Sequence, residues 1–281
     1  MRFTLDANLY VNAHKRRKEN EMADKRFADQ IAVVTGAAQG IGRATALQLA
    51  REGATVLVAD RAAAPAQAVV DEINAAGGRA HAAVHDLEHR AGAVELFARA
   101  KKDFGRVDVS VHNVGGTIWA KPYWEYQPEE IEAEIQRSLW PTMWCCHAVL
   151  PLMLEANKGA IVNIGSVATR GVNRVPYAAA KGGVSALTQA LSFDLDDRPI
   201  RVNCVAPGGV NVERVTPRNP KPPTEADIKG FGEVGEQTLR DTLMKRFAAP
   251  EELAAAICFF ASPEASYITG QTLYVAGGGI G

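Results

Sequence analysis

The hydrophobic pattern of the chain alternates between two periods. IAVVTG (31–36) is a short β-branched run that stops at a glycine, and GRATALQLAREG (42–53) then spaces its apolar residues as one face of a helix and ends at Gly53. The same alternation recurs. ATVLVAD (54–60) is a second strand, followed by an alanine-rich helix over about 64–76. RAHAAVHD (79–86) is a third strand, and AGAVELFARAKKDFG (91–105) a third helix capped by Gly105. RVDVSVHNVGG (106–116) is a fourth strand. A long helical segment is expected over 128–156, a fifth strand in GAIVNIGS (159–166), a helix from Tyr177 to about 195, a sixth strand in IRVNCVAPGG (200–209) and a seventh in QTLYVAGG (271–278). Single helices between strands return the chain to the same end of the sheet, so the strands pair in parallel with right-handed crossovers. The expected fold is α/β: a doubly wound, three-layer Rossmann-type sandwich with a seven-stranded parallel sheet in one domain.

Two regions break the pattern. Residues 1–26 have no clear period and carry the cluster HKRRK, so they read as a disordered or extended tail, with Met22 the natural start. The domain then spans 27–281. Between strands six and seven, TPRNPKPPTEAD (216–227) is polar and proline-rich, and a substrate loop is expected over about 209–245.

Composition narrows the function. A formal net charge of −1 argues against a nucleic-acid partner. No signal peptide or spanning run is seen, and four cysteines without CxxC pairing read as buried thiols, so a cytoplasmic location is expected. His81, His85 and His89 would share a helix face, but they sit on a strand and its exit, so no metal is expected.

TGAAQGIG (35–42) joins the first strand to the first helix. Gly36 permits the tight turn, and Gly40 and Gly42 allow a pyrophosphate and the sheet to approach, next to Gln39 and Ile41. Asp60 ends strand two, where a carboxylate accepts from adenosine ribose hydroxyls and repels a 2′-phosphate. The expected cofactor is therefore NAD, with Arg61, Asp86 and Leu87 near the adenine. Tyr177 and Lys181 are one helical turn apart, so the lysine charge can favour the tyrosinate, and Ser166 closes a strand eleven residues earlier.

Together TGAAQGIG, NIGS and Tyr-x-x-x-Lys resemble the short-chain dehydrogenase/reductase family over about 27–281. The resemblance implies Tyr177 as base on an alcohol, Lys181 as its partner and nicotinamide-ribose ligand, and Ser166 on the substrate oxygen. It further implies cofactor contacts at Asn113, Gly115, Pro207, Gly208 and Val210. Two positions depart from the family pattern. Ser138 stands in SLWP where the family has a catalytic Asn, and Val212 stands where a Thr is expected.

Longer motifs, among them NVGGTIWAKPY, ATRGVNRVPYAAAKGGV and EASYITG, resemble the benzoate cis-diol dehydrogenases of aromatic-acid degradation. This implies NAD-dependent oxidation of 1,2-dihydroxycyclohexa-3,5-diene-1-carboxylate to catechol with loss of CO2. Arg170, Arg174, Lys121, Arg214 and Arg218 lie in segments that flank the substrate pocket of this fold, with Trp119, Tyr123 and Trp124 close in sequence. Guanidinium forks suit a carboxylate and flat aromatics suit a ring. The loop after strand six fits these enzymes less well, so the dihydrodiol of p-cumate is a second candidate. A generic alcohol or 3-oxoacyl reductase and a non-catalytic NAD-binding scaffold are further ones. The family resemblance also implies a homotetramer.

Overall fold

The computed structural model describes residues 25–219 and 221–279. The expectation for the tail, including a start at Met22, lies almost wholly outside these residues. Seven strands form one parallel sheet: β1 (Ile31–Thr35), β2 (Thr55–Asp60), β3 (Arg79–Val84), β4 (Val109–His112), β5 (Gly159–Ile164), β6 (Ile200–Pro207) and β7 (Thr272–Val275). Their order is β3-β2-β1-β4-β5-β6-β7. The chain starts in the middle, winds out to β3, then returns to β4 beside β1 and winds the other way. That reversal between β1 and β4 opens a crevice at the carboxyl ends of the strands, the usual ligand position in such sheets.

The period of two in each strand builds two cores. Val34, Val56, Val58, Val162 and Val205 face one side and pack with Leu49 of α1 (Gly40–Arg51), Val70 of α2 (Ala63–Ala75) and Ile257 of α8 (Pro250–Ala261). Val33, Leu57, Ile161 and Val202 face the other, against Phe97 of α3 (Arg90–Phe104) and Val149 of α5 (Trp140–Ala156). Strands buried on both faces explain why the strand segments read as nearly continuous apolar runs.

The long segment expected over 128–156 is two helices, α4 (Pro128–Ser138) and α5, joined at Leu139. Pro141 is the physical cause: it has no N–H for the carbonyl of Arg137, so the hydrogen-bond ladder cannot run through the joint. The break lets Ser138 end one helix directly under the cleft. The last two helices are α6 (Val175–Asp194), which carries Tyr177 and Lys181, and α7 (Glu225–Asp241), within the expected substrate loop. Thr224 caps α7 reciprocally with Asp227. Among the described residues no helix is long and apolar enough to cross a membrane.

Candidate active site

A cleft of about 480 Å³ opens at the carboxyl edge of the sheet, between the glycine loop, the ends of β4 to β6 and α7. Gly36, Gln39, Gly40, Ile41, Asp60, Arg61, Asp86, Leu87, Asn113, Gly115, Pro207, Gly208 and Val210 all line it. Gly42 does not. It lies behind the loop, where a Cβ would fall 2.2 Å from the carbonyl oxygen of Gly36, so it permits close packing rather than ligand contact. Asn113 fastens the loop from below, donating through Nδ2 to the carbonyls of Thr35 and Gly36 at 3.2 and 3.1 Å.

The first turn of α1 carries no side-chain cap and no acid. Its free N–H groups therefore remain open to an anion. Asp60 is oriented by the glycine loop and by its own turn: Oδ2 accepts from Ala38 N at 3.1 Å and Oδ1 from Ala62 N at 3.0 Å. Carboxylate lone pairs remain for hydroxyl donors. Gln39 has a further role. Its side-chain oxygen accepts from Val215 N and Thr216 N at 2.9 and 3.1 Å, so it latches the loop after β6 onto the glycine loop. Val212 fills the same joint, with its Cγ1 2.9 Å from where a Gly40 Cβ would sit.

Ser166, Tyr177 and Lys181 line the cleft together. Ser166 caps a short 3-10 turn, Val167–Arg170, and its Oγ accepts from Ala168 N at 3.0 Å. That bond leaves the hydroxyl proton free to donate. Lys181 is buried, and its Nζ donates to the Ile164 carbonyl at 2.7 Å. Burial pushes its pKa below the usual lysine value, partly offset by the neighbouring Tyr177 and Cys204. Gly115 makes room for it: a Cβ there would lie 2.9 Å from Nζ. Ser138 is buried and stays out of the cleft lining; its Oγ accepts from Gly116 N at 3.2 Å, which supports the loop below Lys181.

The expected cations divide. Arg174, Arg214 and Arg218 line the cleft near Tyr177 and have no carboxylate within ion-pair distance among the described residues. The Nε atoms of Arg174 and Arg218 are enclosed and have no hydrogen-bond partner there. Burial lowers the pKa of both guanidinium groups. Arg170, Lys121 and Trp119 lie outside the lining. Arg170 is exposed on the 3-10 turn. Lys121 is held 2.6 Å from Glu130, over the Tyr126 ring. Trp119 is tied by its backbone, donating to Glu134 and accepting from the Tyr126 hydroxyl. Tyr123 and Trp124 are exposed on the turn Tyr123–Glu125.

Several lining groups had no sequence signal. Glu88 pairs with both Arg61 and Arg137 across the cleft floor. Phe231, Val234 and Thr238 come from α7, and Phe247 from the turn beyond it. The helical spacing of 231, 234 and 238 is visible in the sequence, but it carries no hint of what it faces. His85 lines the cleft 3.4 Å from Glu95. Among the described residues no group of three metal-ligating side chains forms.

The short chain dehydrogenase family model matches residues 30–223, more than half of the chain. The chain belongs to the short-chain dehydrogenase family. It is 49% identical over 258 residues to a 1,6-dihydroxycyclohexa-2,4-diene-1-carboxylate dehydrogenase of Pseudomonas putida, covering 92% of this chain and 95% of that one. It is 48% identical over 255 residues to the enzyme of the same name from Acinetobacter baylyi, covering 90% and 97%. Among solved structures it resembles a 7 alpha-hydroxysteroid dehydrogenase complexed with NADH and 7-oxo glycochenodeoxycholic acid, with a TM-score of 0.80 and 31% identity over 92% of this chain and 97% of that one. This short-chain dehydrogenase is thus an oxidoreductase with the fold read from its alternating strands and helices.

Proposed function

We propose that this short-chain dehydrogenase oxidises a carboxylated cis-dihydrodiol, 1,2-dihydroxycyclohexa-3,5-diene-1-carboxylate, with NAD, giving catechol and CO2. The observation that carries the carboxylate is the set of cleft arginines: Arg174, Arg214 and Arg218 line the cleft together with Tyr177, and none has a carboxylate within ion-pair distance among the described residues. Burial disfavours these guanidinium charges, and an anion seated in the cleft would offset that cost. The relatives of 49% and 48% identity carry the name of a dehydrogenase for this same diol, numbered the other way round the ring.

The residues at the first crevice fit NAD. The uncapped α1 N-terminus and the bare backbone of Gly36 and Gly40 suit a pyrophosphate, and Asp60 suits ribose hydroxyls while repelling a 2′-phosphate. When bound, NAD supplies the acceptor for the C2 hydride. Tyr177 takes the proton of the C2 hydroxyl as general base. Lys181, one helical turn from Tyr177 and held by Ile164, keeps two donors for neighbouring hydroxyls. Ser166 donates its free hydroxyl proton to the reacting oxygen. Arg174 and Arg218 hold the ring carboxylate and so fix which carbon faces the cofactor. The resulting β-keto acid loses CO2 and tautomerises, and aromatisation draws the reaction forward.

The test is NADH absorbance with purified protein, NAD and the benzoate cis-diol, with CO2 and catechol assayed in the same tube. All three rising together is the expected outcome. Turnover of a p-cumate or a neutral dihydrodiol, with the benzoate diol inert, would keep the dehydrogenase and move the substrate. NAD binding without turnover on any diol would leave a scaffold.

A further inference from the structure

Glu134 has no part in the chemistry above, yet it is a fully buried carboxyl near the cleft. It lies on α4, one turn before Ser138. Its Oε1 accepts from Ile118 N at 2.7 Å and Trp119 N at 3.0 Å. These bonds hold the segment that leaves β4, whose Val114, Gly115, Gly116 and Thr117 form part of the cleft wall. Its Oε2 is enclosed and has no hydrogen-bond partner among the described residues.

A second orphan is close in the field of the first. Arg218 Nε is also enclosed and unpartnered, backed by Gly116, where a Cβ would lie 3.1 Å from it. Glu134 and Arg218 act on each other electrostatically without forming an ion pair. Arg218 therefore lines the cleft while its charge acts on Glu134 behind the wall that Gly116 belongs to. The other groups facing Glu134 are few. Arg137 is on its own helix and donates to the Arg218 carbonyl at 3.1 Å. Tyr126 approaches from the segment before α4, and beyond it lie Glu130, paired with Lys121, and Asp227 of α7. Burial pushes the Glu134 carboxyl up to about 7, opposed by its two backbone N–H bonds and by Arg137 and Arg218.

We propose that Glu134 is a proton-linked positioning residue, taking up one proton from solvent when a carboxylate seats on Arg218 from the cleft. The inference rests on the carboxylate reading above. A bound carboxylate both neutralises the cation that favours ionised Glu134 and adds a negative charge beside it. Both effects favour the protonated form. Catechol has no carboxylate, so loss of CO2 frees Arg218 and returns the proton to solvent. The sign follows from linkage. Below about 7 Glu134 already carries its proton and binding is insensitive to pH; above it, a proton must be drawn in and affinity falls, by at most about tenfold per pH unit.

Calorimetry tests this on the NADH-loaded protein with benzoate as an inert carboxylate probe, at about pH 8 in two buffers of different ionisation enthalpy. The expected result is uptake of a large fraction of one proton by the native protein and by Glu134→Asp, and none by Glu134→Gln. The glutamine keeps an acceptor for Ile118 and Trp119, and its melting temperature reports whether the wall is intact. In parallel, KM for the carboxylated diol should rise from pH 7 to 9 by about threefold or more in the native enzyme and stay flat in Glu134→Gln. Benzoate binding that is weakened by Arg218→Ala but takes up no proton would overturn the role of Glu134 and leave the carboxylate reading standing. Uptake that persists in Glu134→Gln would assign the proton elsewhere. Absence of benzoate binding would remove both readings.

Discussion

The two halves of the cleft are built from different material. The cofactor half is mostly backbone: the turn after β1, the uncapped start of α1, and the ends of β2 and β4. The substrate half is mostly side chains, with Arg174 at the start of α6, Arg214 and Arg218 on the loop after β6, and Phe231 and Thr238 on α7. Backbone geometry demands particular residues at particular spacings, because few residues tolerate the conformation or the contact. Side chains on loops can be rearranged without disturbing the sheet. The first half should therefore fail when its spacing is violated, and the second should change its preference before it fails.

The largest expected effect lies where the halves meet. Tyr177→Phe should lower kcat by about 10³-fold or more, the upper range for a lost general base, while leaving NAD affinity within a few-fold of native. Steady-state turnover and cofactor fluorescence titration check it. Full activity in the variant would remove the tyrosine mechanism from this cleft.

Gly42→Ala should come next, because it violates the backbone half directly. The new Cβ would meet the Gly36 carbonyl oxygen at 2.2 Å and Asn113 Nδ2 at 2.7 Å, and neither can yield without moving the loop. A loss of about 2 kcal/mol in stability is expected, with weaker NAD binding at temperatures where the variant is folded. Thermal unfolding with and without NAD measures both. A variant that binds NAD normally would mean the loop is more plastic than this contact allows.

These contrasts explain what could be read in advance. Gly36, Gly40, Asp60 and the Tyr177–Lys181 pair were legible because each residue is nearly dictated by local backbone or by helical spacing. The single helix expected over 128–156 failed at Leu139, where Pro141 interrupts the hydrogen-bond ladder just as the pattern turns from charged to apolar. Among the cations, position in the chain could not separate Arg174 from Lys121. Lys121 finds Glu130 on the next helix, Arg170 turns to solvent, and Arg174 lines the cleft with no carboxylate partner among the described residues. Glu134 gave no signal at all, because a glutamate on a helix of charged residues is ordinary until its burial is known.

Arg174→Ala addresses the substrate half. It should raise KM for the carboxylated diol by about 10- to 100-fold, the range for one charged hydrogen bond, and change KM for a neutral dihydrodiol little. The ratio of the two KM values is the measurement that matters. An equal rise for both would show that Arg174 shapes the wall and does not hold the carboxylate.

The smallest effect belongs to the joint between the halves. Gln39 is a glycine-loop residue by sequence, but its side-chain oxygen holds Val215 N and Thr216 N on the arginine-bearing loop. Gln39→Ala removes both acceptor contacts at an exposed or half-exposed position, so the cost is about 1 kcal/mol or less, or roughly fivefold in binding. If the latch couples the halves, that fivefold should appear in the KM values for NAD and for the diol together, since one loop serves both. A change in NAD alone would make Gln39 a cofactor contact and nothing more. A change in the diol alone would mean that the loop after β6 is set by the latch while the glycine loop stands without it, which is what a rigid backbone half and an adaptable side-chain half would produce.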